Sequence, residues 1–230
     1  IVMNKKVLVW DIPVRLFHWL LVLCLCGQWF TAEVLEDAME IHFYIGYFTL
    51  GLVLFRLIWG FIGTKYAKFT SFVAGPKSML AYLKGITQRN HVFSVGHNSV
   101  GGLLLPAVIL LVGLQAISGL FTSDDIFYSG PYYNSASSEI QQCMQWLHHN
   151  IFNILLAIIG LHLLAIFGYL VCLKHNLISP MLNGKKPIPQ KDGITDSQLI
   201  KAVFVVVVVA MFVYWLVAIN PPPIDDSYFY

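Results

Sequence analysis

Three histidines stand in one of the most apolar stretches of the chain, the sequence LHHNIFNILLAIIGLHLL at residues 147–164. If this stretch is helical, His148 and His162 lie on nearly the same face, because 14 residues return to within roughly 40° of the starting direction. The same spacing separates them by about 21 Å along the helix axis. His149 turns roughly 140° away from His162, so we predict that it is a neighbour of the pair and not a member.

Two further histidines supply partners at matching depths. His18 lies roughly 10 Å into the first apolar stretch, and His42 begins the second stretch from the opposite side. The depths predict that His42 faces His148 and that His18 faces His162. Opposed neutral imidazoles at two levels of a helical bundle suit bis-histidine ligation of haem iron, since a flat macrocycle fits between helices. The chain has no C-x-x-C-H motif, so we predict two non-covalent b haems.

The alternative for any one of these histidines is a simple hydrogen bond to a neighbouring helix. The agreement of four histidines in depth favours the haem interpretation. Arg56 supports it, because it lies 14 residues after His42 and therefore on a similar face at the level of the second pair. An intramembrane arginine needs an anion, which a haem propionate supplies, whereas snorkelling to the interface is the competing explanation. His97 is a further candidate for a contact with a propionate or a quinone. The competing interpretation is that His97 is a polar side chain at the membrane interface.

These side chains must be positioned by membrane-spanning helices. Of the 230 residues, 57% are hydrophobic and 11% are charged, which is too apolar for a soluble domain of this length. Five stretches reach the roughly 20 residues that a helix needs to cross the hydrocarbon core. We predict an all-α integral membrane protein, with a four-helix bundle that holds two haems and a fifth, C-terminal transmembrane helix. The predicted spans are approximately residues 12–31, 42–62, 100–122, 146–173 and 199–219.

Basic residues lie on one side of the predicted membrane only. The 14 Lys and Arg residues precede or begin the first span, lie near the end of the second, or lie in the connections from span two to three and from four to five. The opposite loops and the C-terminal tail contain carboxylates and no Lys or Arg: Glu33, Glu36, Asp37, Glu40, Asp124, Asp125, Glu139, Asp225 and Asp226. Because cytoplasmic loops retain Lys and Arg, we predict that the N-terminus is inside and the C-terminus outside.

The polar segment NGKKPIPQKDGITDSQ separates the fifth span from the others. We therefore predict two parts. Residues 1–186 form a di-haem cytochrome b transmembrane domain, and residues 187–230 form a linker, the fifth helix and a short acidic periplasmic tail. The fifth span has no histidine and no acid, which indicates an anchor or a helix that faces a partner.

The chain contains the motifs VWDIPVRLFHWLL, RLIWGFIG, GHNSVGGLLLPAVILLVGLQAISGLFTSDDIF, LHHNIFNILLAIIGLHLLAIFGYLV and LISPMLNGKK. Together they resemble those of the bacterial cytochrome b561 family, which includes the cytochrome b subunits of nickel-iron hydrogenases, over roughly residues 7–186. The resemblance implies a four-helix bundle in the bacterial inner membrane with two b haems. It also implies electron exchange with membrane quinone and with a partner on the outer face. The implied axial ligands are His18, His42, His148 and His162.

The leading functional hypothesis is electron transfer from membrane quinol, through the haems, to a periplasmic redox partner. Nine carboxylates without Lys or Arg attract a basic protein surface, so a c-type cytochrome is the expected partner, although another redox subunit stays open. A stand-alone superoxide to quinone oxidoreductase is the alternative, and the acidic loops disfavour its anionic substrate. A histidine-liganded metal transporter is a weaker alternative, because no acids accompany the histidines at membrane depth. We expect no nucleic-acid partner.

Overall fold

All five apolar stretches form helices in the computed structural model, which describes residues 6–73, 77, 95–96, 99–124, 127–172 and 174–223. Each of the five is long and apolar enough to cross a membrane, so the chain is a multi-pass membrane protein. The last of the five continues into one wider π-helical turn, Trp215–Ile219. The helices are α1 (Ile12–Glu33), α2 (Met39–Ile62), α3 (Ser99–Gly119), α4 (Ser138–Val171), the short α5 (Ile178–Asn183) and α6 (Leu199–Tyr214).

Helix α4 begins at Ser138, well before the predicted start near Trp146. Its first two turns, SEIQQCMQ, are polar and good helix formers, so they extend the helix beyond the apolar span. Hydropathy marks only the part of a helix that lies in hydrocarbon, and for this reason it misses such an extension.

Helix α2 is the centre of the arrangement. It packs along α1 on one side, along α3 on another and along α6 on a third, while α4 packs along α3. One apolar core joins α1, α2 and α6, and a second joins α2, α3 and α4. Helix α6 buries Ala202, Val205, Val209 and Val213 in the first core, so the fifth span is packed against the others along its length.

Basic residues of several described segments lie at one end of the bundle. Strand β1 (Lys6–Leu8) pairs antiparallel with strand β2 (Lys185–Pro187), which ties the N-terminus to the linker before α6. The Nζ of Lys186 donates to the backbone oxygen of Val95 at 2.8 Å, and burial lowers the pKa of this amine from its ordinary value. Lys201 donates to the carbonyl of Ile62 at the end of α2. We call this the basic end.

Asp11 joins two helices at the basic end. Its buried carboxylate caps α1 by accepting from the backbone N–H of Val14 at 2.7 Å. It also accepts from the Nε1 of Trp59 at 3.1 Å and from the hydroxyl of Thr64 at 2.5 Å, both near the end of α2. These bonds fix the register of α1 against α2, and therefore the relative heights of the histidines on the two helices.

The opposite end, where the loops carry carboxylates and no Lys or Arg, we call the acidic end. There the connection between α3 and α4 folds against α6. The hydroxyl of Tyr132 donates to the carbonyl of Leu216 at 2.7 Å and accepts from the Nδ2 of Asn220 at 2.9 Å. Both ends of the bundle are thus held by bonds between segments that lie far apart in the sequence.

Candidate haem sites

His42 on α2 and His148 on α4 face each other near the acidic end. Their ring centres are 6.3 Å apart, and their ring planes are inclined at 72°. Two imidazoles that bind one metal from opposite sides have centres roughly 6 Å apart, because a metal–nitrogen bond is about 2 Å long and the ring centre lies about 1 Å beyond the nitrogen. The spacing therefore fits one iron between the two rings. We call these residues the acidic-end pair.

Helix α1 orients the imidazole of His42. Its Nδ1 lies 3.1 Å from the backbone oxygen of Gln28 and 3.2 Å from the hydroxyl of Thr31. A carbonyl oxygen only accepts hydrogen bonds, so the Nδ1 of His42 carries the proton and donates. The lone pair is then on Nε2, the nitrogen that is free to bind a metal.

Helix α3 orients His148 in the same way. The Nδ1 of His148 lies 3.0 Å from the backbone oxygen of Gln115 and 3.0 Å from the hydroxyl of Ser118. A Cβ added at Gly119 would come within 3.1 Å of the Cε1 of His148, so this glycine makes room for the ring. Both rings of the acidic-end pair thus have a fixed tautomer, and metal-binding histidines commonly show this carbonyl contact.

A cavity of about 580 Å³ surrounds the acidic-end pair, between α1, α2, α3 and α4. Its size lies within the range of cofactor sites, and most of its lining is apolar. Gly46 and Gly119 are among the residues that line it, while Glu33 and Asp124 lie at its rim toward the acidic end. The residues present therefore fit a flat apolar macrocycle.

His18 on α1 and His162 on α4 form a second pair, the basic-end pair, whose imidazoles are close enough to interact electrostatically. The Nδ1 of His18 is buried without a hydrogen-bond partner among the described residues. His162 is exposed. The unpartnered nitrogen of His18 and the exposed ring of His162 both fit a second macrocycle at this level.

Arg56 lies buried in α2 with only 1% of its surface exposed. Neither Nη1 nor Nη2 has a hydrogen-bond partner within the described ranges, although the guanidinium lies 5.1 Å from the centre of the Phe69 ring. The cation–π contact and the electrostatic attraction of the Asp11 carboxylate offset only part of the cost of burying this charge, since neither supplies a hydrogen-bond acceptor to the two Nη atoms. The two free nitrogen atoms are therefore suited to an anion such as a haem propionate.

The other residues singled out from the sequence lie outside the two pairs. His149 is exposed, and its Nδ1 is 2.8 Å from the carbonyl of Gln145 on its own helix. His97 lies outside the residues that the structure describes. In the described part of the chain, no three or more His, Cys, Asp or Glu side chains are grouped so as to hold a metal ion.

Sequence reasoning missed the groups that orient the acidic-end pair. Gln28 with Thr31 on α1, and Gln115 with Ser118 on α3, are each two polar residues three positions apart in an otherwise apolar helix. Residues with that spacing share a helix face, so the pattern marks where each helix turns polar groups inward. The carbonyl contacts themselves leave no trace in the sequence, because every residue has a carbonyl.

Comparison with known proteins identifies the family of the chain. The family model described as prokaryotic cytochrome b561 matches residues 9–184, a range that includes α1 to α4 and all four paired histidines and ends before α6. No curated protein and no solved structure matches the chain. Members of this family bind haem b and are associated with transmembrane electron transfer. The chain therefore belongs to the prokaryotic cytochrome b561 family.

Proposed function

We propose that the protein carries electrons from a quinol in the bacterial inner membrane to a periplasmic partner through two b haems, each bound by one of the two histidine pairs. The observation that carries this proposal is the geometry of His42 and His148. Their rings face each other at 6.3 Å, and a backbone carbonyl holds the Nδ1 of each ring. That arrangement prepares two Nε2 atoms for one metal before the metal binds.

A haem with two histidine ligands supplies a one-electron couple and has no open iron position for oxygen or substrate. The protein supplies the rest. The carbonyls of Gln28 and Gln115 hold the tautomer and increase the electron donation of each imidazole. The continuous helix α4 carries both His148 and His162, so it sets the two levels about 21 Å apart along its axis.

Arg56 holds the negative edge of the basic-end haem in this proposal. Its two unpartnered Nη atoms are buried, and an anion between them removes the part of the burial cost that the nearby Asp11 carboxylate does not offset. A propionate bound there also brings a positive charge close to the haem, which favours the reduced state. Arg56 is thus a determinant of the potential of the basic-end haem.

The electron donor is a membrane quinol, and the acceptor is a periplasmic protein with a basic surface, a c-type cytochrome being the best candidate. The positive-inside distribution of Lys and Arg supports a cytoplasmic basic end and a periplasmic acidic end. Glu33 and Asp124 lie at the rim of the cavity that contains the acidic-end pair. A basic partner attracted there docks within tunnelling reach of that haem.

The test uses the holoprotein in lipid nanodiscs. We expect a quinol to reduce haem with a visible spectrum of six-coordinate b type, and the reduced protein then to reduce an added basic c-type cytochrome. The second step should slow as ionic strength rises, because screening weakens attraction between acidic and basic surfaces. Reduction by superoxide but not by quinol would instead favour the superoxide oxidoreductase alternative. A protein purified without haem would contradict both.

A further inference from the structure

A second cavity lies outside the haem sites, between α6 and the helices α1 and α2. It has a volume of about 920 Å³ and takes the form of a groove along the bundle. It arises because α6 packs mainly on α2, which leaves space between α6 and α1. Toward the basic end only apolar residues line the groove, among them Leu16, Phe17 and Leu199. Its polar lining residues all lie in the half nearest the acidic end.

The groove and the haem cavity share a wall. Phe43 and Tyr47 of α2 line both of them, and Phe43 directly follows His42 in the sequence. One layer of aromatic side chains therefore separates the groove from the space around the acidic-end pair. A redox molecule in the polar half of the groove would lie close enough to that haem for electron tunnelling.

The polar mouth of the groove is acidic and aromatic. Glu40 and Tyr44 both line it, and the hydroxyl of Tyr44 donates to Oε1 of Glu40 at 3.3 Å. The loops at this end contain no Lys or Arg, so the mouth offers nothing to pair with the phosphate of a lipid head group. A neutral head group with hydroxyl protons matches a carboxylate better.

We propose that this groove is the quinol site, with the isoprenoid tail along the apolar half and the quinol head group beside Glu40 and Tyr44. The inference rests on the proposed electron-transfer function and adds the place and side of the donor site. A quinol that becomes a quinone releases two electrons and two protons. The two electrons would pass one to each of the two haems that the histidine pairs would hold, and the protons leave through the Glu40 carboxylate to water at the acidic end.

A photoreactive azido-quinone tests where the head group and tail bind, independently of electron transfer. On illumination of the holoprotein in nanodiscs, mass spectrometry should find the label on peptides of α2 and α6. Val206 lines the groove whereas its neighbour Val207 does not, and they are 51% and 50% exposed. Val206→Trp should abolish labelling and slow quinol-driven haem reduction by about tenfold or more. Val207→Trp should change neither, and both variants should keep their haem.

Equal labelling and equal rates in the two tryptophan variants would overturn the groove assignment, as would a label confined to other helices. If quinol still reduces haem in the wild-type protein in that case, the proposed function is retained and the donor site lies elsewhere. If quinol reduces haem in none of the proteins, the proposed function itself fails. The two failures are therefore distinguishable in one set of samples.

The position of the head group has its own test. Glu40→Gln should retain azido-quinone labelling and slow haem reduction by quinol, because the amide cannot accept the released proton. Glu36 lies outside the groove lining, so Glu36→Gln is the matched control. Quinol should reduce its haem at the wild-type rate. An unchanged rate in Glu40→Gln would overturn the placement of the head group at this mouth.

Discussion

The two histidine pairs differ in how completely the protein prepares them. At the acidic end, carbonyls of α1 and α3 hold both imidazoles, and a cavity between four helices surrounds them. At the basic end, the Nδ1 of His18 has no partner among the described residues and His162 is exposed. The comparison indicates that protein packing alone shapes the first site, whereas the second site depends on its cofactor to complete the packing.

The core explains the difference. Ile151 and Leu155 of α4 are buried against α2 and α3, close to His148. Beyond Leu155, none of the residues 156–171 is buried, so this half of α4 has few protein contacts. A ligand that binds only the folded arrangement stabilises it, and we expect that effect to be largest where the protein contributes least.

Removal of haem should therefore affect the two halves of α4 very differently. In protein prepared without haem, backbone amides in residues 156–171 should lose hydrogen-exchange protection by more than about tenfold relative to the holoprotein. Amides around Ile151 should change much less, because the core with α2 and α3 remains. Hydrogen exchange followed by mass spectrometry measures both, and added haemin should restore the protection. Equal loss in the two halves would contradict the comparison.

The next prediction concerns the space beside the His148 ring. Gly119→Val should push the His148 ring away from its position and reduce binding of the acidic-end haem, since even a Cβ would lie 3.1 Å from the ring. Gly168→Val is the matched control, because that position has no heavy atom within 4 Å. Haem quantitation should show loss of haem in the first variant only. Equal haem content in both variants would show that the ring is not confined as the structure indicates.

Arg56 should act on the basic-end haem alone. Removing its positive charge in Arg56→Met destabilises the reduced haem, so we expect that midpoint potential to fall by roughly 60 mV, a tenfold change in a one-electron equilibrium. In Arg56→Lys the same midpoint potential should fall less, because lysine keeps the positive charge but loses the two-nitrogen geometry of the guanidinium. Potentiometric titration resolves the two haems. A change in the midpoint potential of the acidic-end haem would instead place the propionate contact at the other level.

Substitution of Ser118 should give the smallest change in midpoint potential. The change should be opposite in sign to that of Arg56→Met and should affect the acidic-end haem. Its hydroxyl is one of two groups near the Nδ1 of His148, and the Gln115 carbonyl stays in place when it is removed. Ser118→Ala should make the imidazole a slightly weaker donor, which raises the potential of the acidic-end haem by less than the Arg56→Met shift. Visible spectra should show that the variant retains both haems. A fall in potential would contradict the proposed direction of this hydrogen bond.

The sequence was sufficient for the helices and for which histidines face each other at the acidic end. Long apolar stretches force helix in lipid, and the 14-residue spacing on one helix predicts the levels. It was not sufficient for the pairing of β1 with β2, because two three-residue strands show no alternating pattern. Nor did it show that α6 packs on α2, since its apolar residues lie on all sides and mark no preferred face.

The adjacent histidines His148 and His149 allow the most direct test of the central claim. Pyridine haemochrome quantitation should give two b haems per chain for the wild-type protein, one for His148→Ala and two for His149→Ala. The two substitutions are chemically identical, and only the first removes a ring that faces His42. A wild-type content other than two, or an equal haem content in the two variants, would contradict the account.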